Sequence, residues 1–434
     1  MTFLQVPEIE SALIALNNSY PALTRLWTLP NETYEGRTTH ALEIKASGYR
    51  CRSALVFISG AHAREWGGPD VLVNLAADVL EAYTANAGLA YGGKSFSAAE
   101  VRDIVQSTTI VVYPCINPDG RAYSMAAAAG TTQAMWRKNR NPASSGGVAG
   151  KIGVDVNRNY DFLWNFPISF SPNAYMGTLA SNDPASDLFH GTGPFSEPES
   201  RNVDWLVDQY PNAGFFVDVH SYTGDVLHAW GDDENQSTDP GKSFTNPAWD
   251  HQRGVAGDAY GEYISSTHLA RVAGLANVLR DGINAVRGQG YVSKQAFWLW
   301  PTTSYPTSGA SDDWATARRL DAFVIEFNKN IDFFPTWPEM VDMIADVDAG
   351  LLALCSAARP TFFQRILCWI RWWWLSILKG FWVRWHRVFP PELWGPYGPW
   401  SRIVNVVKGI AGPIVNVVKG IVGQIVGLFR GGRR

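Results

Sequence analysis

Two short, strongly apolar runs in this chain stop at residues that bind metals. Ala54-Leu55-Val56-Phe57-Ile58 leads straight into Ser59-Gly60-Ala61-His62-Ala63-Arg64-Glu65-Trp66, and Phe215-Phe216-Val217-Asp218-Val219 leads into His220-Ser221-Tyr222. Runs of this length and apolarity read as buried strands. The stretch Val71 to Leu80 then has helical spacing, so His62 and Glu65 leave a strand end at the mouth of a helix. Ligand sites in open α/β sheets form at the carboxyl ends of strands. A His and a carboxylate three residues apart can both reach one Zn²⁺, and a catalytic zinc needs a third protein ligand while leaving a position for water. Taken alone, the pair is a common chance spacing.

The rest of the chain fits the same architecture. Residues 8–19 carry Ile9, Leu13 and Leu16 on one helical face, and Tyr20-Pro21 stops the helix. A strand is expected at 39–45, paired with the run at 54–58. Helices follow at 69–85 and 98–106, then a strand at 109–115. Residues 120–152 and 162–197 read as loop, rich in Gly, Ala, Ser or Pro. A helix is expected at 197–208, a surface loop at 231–252 and a mainly helical stretch at 256–284. A short strand is expected at 296–300, and the stretch 315–326 reads as part of a helix followed by a strand. A helix at 340–354 completes the set. Strands alternating with helices predict an α/β fold with a mixed, mostly parallel central sheet and helices on both faces.

A chain of 434 residues, 46% hydrophobic, can fill one large α/β core and still carry an appendage. Its net charge of −4 conceals an asymmetry: from Arg359 onward twelve Lys and Arg face the single acid Glu392, which leaves −15 for everything before. The division expected is a catalytic domain at 1–345 and a basic, Trp-rich tail at 346–434. Cys51, Cys115, Cys355 and Cys368 form no short-range metal or redox pattern, so free, buried thiols are expected. Met1 to Glu10 lacks a basic segment followed by an apolar one, so no signal peptide is seen and a cytoplasmic location is expected.

Three more stretches complete the pattern: Ile116-Asn117-Pro118-Asp119-Gly120 with Trp136-Arg137-Lys138-Asn139-Arg140; Gly153-Val154-Asp155-Val156-Asn157-Arg158-Asn159-Tyr160; and Tyr305-Pro306-Thr307-Ser308-Gly309-Ala310-Ser311-Asp312-Asp313-Trp314 with Val324-Ile325-Glu326-Phe327. With the two His-bearing stretches, in this order from about Thr38 to Pro338, they resemble the zinc carboxypeptidases of the pancreatic carboxypeptidase A and B type, peptidase family M14. The resemblance implies one Zn²⁺ per chain, held by His62, Glu65 and His220. It makes Asp155 the carboxylate that orients a zinc-bound imidazole. Glu326 becomes the base for a water activated at the zinc and the acid for the leaving amine. An acid among Val, Ile and Phe is costly to bury, so its pKa is expected above the ordinary value, with zinc pulling the other way. Arg137 matches the oxyanion-stabilising arginine. Arg158 with Asn157 matches the clamp on the substrate's terminal carboxylate, Tyr305 the tyrosine that closes over substrate, and Arg64 and Tyr222 the contacts upstream of the scissile bond.

Asp312 falls where B-type members carry the aspartate that pairs with a C-terminal Lys or Arg, whereas A-type members are apolar there. Trp300 stands where it would shorten that pocket, which favours the A-type alternative of apolar or aromatic release. The partners implied are peptide or protein C-termini, with no nucleic acid. A silent peptide-binding relative is the rival reading, as is a membrane-associating protein whose zinc domain only binds peptides.

The tail has no counterpart in the resemblance. Residues 362–385 set Trp369, Trp372, Trp373, Trp374, Trp382 and Trp385 among Arg365, Arg371, Lys379 and Arg384, a mixture suited to a membrane interface. Ile403-Val404-Asn405-Val406-Val407-Lys408-Gly409-Ile410 recurs as Ile414-Val415-Asn416-Val417-Val418-Lys419-Gly420-Ile421. An eleven-residue step returns to within about 20° of the same helical face, so Lys408 and Lys419 align. Glycines and Pro413 weaken a helix in water, since glycine costs about 1 and proline about 3 kcal/mol relative to alanine. An anionic membrane surface is therefore the expected partner of 362–434. Full-length chain should co-sediment with anionic vesicles at low salt and a chain lacking 362–434 should not; equal pelleting of both would remove the tail from that role.

Overall fold

The apolar runs form the centre of an eight-stranded sheet. The computed structural model describes residues 2–47, 52–145, 148, 152–234, 236–299, 304–329 and 333–361. The chain opens with α1 (Val6–Ser19), β1 (Thr24–Thr28), β2 (His40–Ile44), β3 (Ser53–Ser59) and α2 (Gly67–Ala85). A small hairpin, β4 (Leu89–Tyr91) and β5 (Lys94–Phe96), precedes α3 (Ala98–Ser107), β6 (Thr108–Tyr113) and α4 (Pro118–Met125). After the short α5 (Phe166–Ser169) come α6 (Pro198–Asp208), β7 (Ala213–Ser221), β8 (Asp225–His228) and β9 (Gln236–Ser237). The last elements are β10 (Glu262–Tyr263), α7 (Ser266–Arg287), β11 (Val292–Gln295), α8 (Ser311–Ala317), β12 (Asp321–Phe327) and α9 (Trp337–Ala357).

The sheet order is β1-β2-β6-β3-β7-β12-β8-β11. Pairing is parallel across β6, β3, β7 and β12 and between β8 and β11, and antiparallel at β1/β2, β2/β6 and β12/β8. The central four strands are nearly all buried, as parallel strands covered on both faces must be. Alternation along β7 sends Phe216, Asp218 and His220 to one face, where the Phe216 ring meets Trp314 of α8. Helix α2 comes close to the end of β3, because Gly68 has no side chain to collide with Ser59 or the Val219 carbonyl.

Several expectations need correction. The strand at 40–44 forms but pairs with β1 and β6, not with the run at 54–58; the fully buried β6 intervenes because it offers a parallel partner to β3. The start of the stretch read as loop at 120–152 belongs to α4, begun by Pro118 and capped by the Asn117 side chain. Helix α7 starts only at Ser266, where Ser265 caps it. Residues 296–298 make a single 3₁₀ turn after β11, not a strand. Trp300, Cys51, Cys368 and the tail 362–434 lie outside the described residues. Cys115 and Cys355 are free and buried.

The folded unit runs to Thr361, so α9 belongs to it and a division at 345/346 would cut that helix. Its inner face, Val347, Leu351, Leu354 and Cys355, is fully buried. Where it crosses α7, a Cβ on Gly282 would lie 2.9 Å from the Gly350 Cα. Leu351→Ala should therefore cost about 2–5 kcal/mol in urea unfolding. A chain ending at Thr361 should keep a cooperative transition that one ending at Ala345 loses.

Candidate active site

The site is assembled from the carboxyl ends of three neighbouring strands. β3 and β7 pair in parallel and end on the same edge. His62 and Glu65 sit in the turn from β3 to α2, and His220 is next to last in β7. β12 pairs with β7 on the other side, with Glu326 directly opposite His220 and opposite Asp225 across β12/β8. The register of β12 alone brings Glu326 to the metal-ligand candidates.

His62, Glu65 and His220 are 5%, 5% and 1% exposed. Glu65 Oε1 lies 2.6 Å from His62 Nδ1 and Glu65 Oε2 lies 2.9 Å from His220 Nδ1. The two Nδ1 atoms are 3.1 Å apart, and one ligand atom from each of the three residues lies within 4.8 Å of the others. Two imidazole nitrogens turned toward each other and toward one carboxylate form a donor set for a cation. The two imidazoles also explain the state of Glu65. Burial works against its charge, but His62 and His220 outweigh that and hold its pKa far below the carboxylate range. The N, N, O set suits Zn²⁺.

Each imidazole is backed by an acid. His62 Nε2 faces Asp155 Oδ1 at 3.4 Å. Asp155 is wholly buried, accepts the Asn157 amide on Oδ1 and takes Arg137 Nε at 2.9 Å and Nη2 at 2.8 Å on Oδ2. Burial opposes its ionisation, yet Arg137 and then His62 keep it ionised. His220 Nε2 faces Asp218 Oδ2 at 3.0 Å, a partner that the sequence reading did not assign. Glu326 has its pKa pushed up to about 8, by burial first; His220 opposes this while Glu65 and Asp225 add to it. The direction is the one expected from its apolar strand.

The substrate-binding candidates divide into three groups. Arg158 is 2% exposed, donates from Nη1 to the Asn157 carbonyl and from Nη2 to the Thr178 carbonyl at 2.7 Å each, and has no hydrogen-bond partner on Nε. Asn157 uses its side-chain oxygen to accept the Ser311 amide at 2.8 Å, so it ties the Arg158 turn to α8. Gly309, at φ +65°, lets that loop dock: a Cβ there would collide with the Arg158 carbonyl. Tyr305 packs half-buried on Leu227, Ala296, Leu299 and Val324, close enough to Arg137 to influence its charge. Asp312 is 3% exposed in the first turn of α8. Burial raises its pKa to about 6, the amides of Asp312 and Asp313 oppose, and Asp218 raises it further. Arg64 and Tyr222 meet on one rim, through Phe333: the Arg64 guanidinium is 4.7 Å from that ring and Tyr222 packs edge-on at 4.8 Å.

Asp218, Ser311 and Phe333 are the neighbours that sequence reasoning passed over. Asp218 left a signal, a carboxylate two residues before His220 and so on the same face of a strand. Phe333 left none.

The family model for zinc carboxypeptidases, peptidase M14, matches residues 9–345. The chain belongs to the zinc carboxypeptidase family. A carboxypeptidase B of Astacus astacus is 29% identical over 310 residues, 71% of this chain and 80% of that protein. Metallocarboxypeptidase A of Trichophyton tonsurans is 32% identical over 196 residues, covering 44% of this chain and 39% of its own. Beyond the crayfish protein, the chain spans about half or less of these curated relatives. Among solved structures, bovine thrombin-activatable fibrinolysis inhibitor in complex with a tick carboxypeptidase inhibitor shares the fold, at TM-score 0.60 and 19% identity, over 82% of this chain and 97% of that one. The zinc carboxypeptidases use one zinc ion per chain and act on peptide C-termini.

Zinc added to metal-free protein should therefore raise its melting temperature. A hundredfold excess over Kd is worth about 2.7 kcal/mol. Glu65→Gln should abolish the shift; the same shift in the variant would remove Glu65 from the ligand set.

Proposed function

We propose that this zinc carboxypeptidase releases single C-terminal residues from peptides or proteins, with a preference for Lys and Arg. The observation that carries the reading is the position of Glu326, a carboxyl of raised pKa opposite His220 in the strand register. Bound zinc supplies a Lewis acid that polarises the scissile carbonyl and acidifies water. Glu326, opposite His220 in the register, is the group to take the water's proton and return it to the leaving amine, and the dry strand that raises its pKa favours its holding that proton between the two transfers. Arg137 presents a guanidinium whose Nε and Nη2 are fixed by Asp155, which leaves Nη1 to meet charge growing on the carbonyl oxygen. Arg158 is anchored through both terminal nitrogens to backbone carbonyls, a rigid cation for the substrate's carboxylate.

Asp312 supports the basic preference. An acid held this deep gains from a cationic side chain and penalises an apolar one. The similarity to a carboxypeptidase B points the same way.

Kinetics on blocked dipeptides test both levels. Glu326→Gln should keep zinc and lose at least about 100-fold in kcat; an undiminished rate would remove Glu326 from the chemistry. The parent should favour C-terminal Arg over Phe in kcat/KM and Asp312→Ile should reverse that order. A parent that prefers Phe would leave the peptidase assignment standing and overturn the basic specificity.

A further inference from the structure

The acid behind His220 has no role in the chemistry described so far, and its surroundings are unlike those of Asp155. Asp155 shares its charge with Arg137 through two hydrogen bonds and sits 3.4 Å from His62 Nε2. Asp218 is wholly buried in β7. Its Oδ2 accepts the Ser311 hydroxyl at 2.7 Å and lies 3.0 Å from His220 Nε2, an ion-pair contact short of hydrogen-bond geometry, while Asp218 Oδ1 and His220 Nε2 have no hydrogen-bond partner among the described residues. Among those residues the ion pair it forms is with His220. A carboxylate in so dry a place is costly unless a partner compensates it.

The placement follows from the strand. Asp218 and His220 stand two residues apart in β7, so both project to the face covered by α8. Ser311, in the first turn of α8, reaches Asp218 from above. The His220 ring is thereby held between two anions. Its Nδ1 faces Glu65 and His62, and its Nε2 faces Asp218. A neutral imidazole carries one proton, and a metal ligand atom must be the other nitrogen.

We propose that Asp218 is a positioning residue for the metal centre. Its charge, 3.0 Å from Nε2, draws the His220 proton to that nitrogen, favours that tautomer, and so leaves Nδ1 for the zinc ion; Ser311 holds the Asp218 carboxylate in place. Such partners typically govern metal affinity by 10–100-fold. The inference rests on the reading of His62, Glu65 and His220 as the zinc ligands, and its test separates the two.

Zinc affinity is measured by competition with a chromophoric chelator for the parent, Asp218→Ala, Asp218→Asn, Ser311→Ala and His220→Ala. Asp218→Ala should weaken zinc binding by about 10–100-fold. Asp218→Asn keeps an acceptor and should lose less, and Ser311→Ala, which removes one hydrogen bond to the carboxylate, less again. Long-range ¹H–¹⁵N correlation on the zinc-loaded parent should show the His220 proton on Nε2. That signal is independent of any variant's folding. A proton on Nδ1, or Asp218→Ala and Asp218→Asn both binding zinc as tightly as the parent, overturns the role of Asp218. Parental zinc affinity in His220→Ala overturns the ligand assignment itself.

Discussion

The most demanding feature of this molecule is the packing of two imidazoles and a carboxylate, all almost fully buried, within 3.1 Å of one another. Groups of that kind are costly to remove from water unless each finds a charge or a hydrogen bond. The surroundings are arranged to supply them. Asp155 and Asp218 stand behind the two rings, Arg137 balances Asp155, and the Ser221 amide reaches Glu65 Oε2. The cation that the cluster is built to hold completes the balance, which makes metal binding part of the stability of this edge of the sheet.

The sheet makes this arrangement affordable by concentrating it. Parallel pairing of β3, β7 and β12 puts three carboxyl ends together, so the chemical groups gather at one edge and most of the remainder of each strand is apolar. Glu326 depends most on this geometry. It stands in a run of Val, Ile and Phe, and its raised pKa follows from the dry strand and from the neighbouring acids Glu65 and Asp225.

The described residues between 126 and 197 contain little regular structure, yet they are firmly held. Asn139 donates to both Glu197 and Glu199, and Asn159 donates to the carbonyls of His190 and Gly193. Glu199 is pushed to about 8 by burial, with Glu197 adding to the effect. These links anchor the loops that carry Arg137, Asp155 and Arg158. Composition marks such segments as loop; it does not say that a buried amide and a pair of acids will pin them.

The sequence by itself determined the longer helices, the buried central strands and the ligand-type residues, because apolar runs, prolines, caps and the His and Glu spacing act over a few neighbouring positions; it did not mark β1, β8 or β11. It also determined the family, since the motifs keep their order. Tertiary structure alone decided which strands are neighbours, and hence that β6 separates β2 from β3 and that Glu326 stands opposite His220. It alone decided that α9 closes the folded unit, that Asn157 serves the Ser311 amide, and that Asp218 faces His220 with Ser311 behind it. The physical reason is range: a helix or a turn is selected by residues three or four apart, whereas Ser311 lies 93 positions from Asp218 and meets it only when α8 packs on β7.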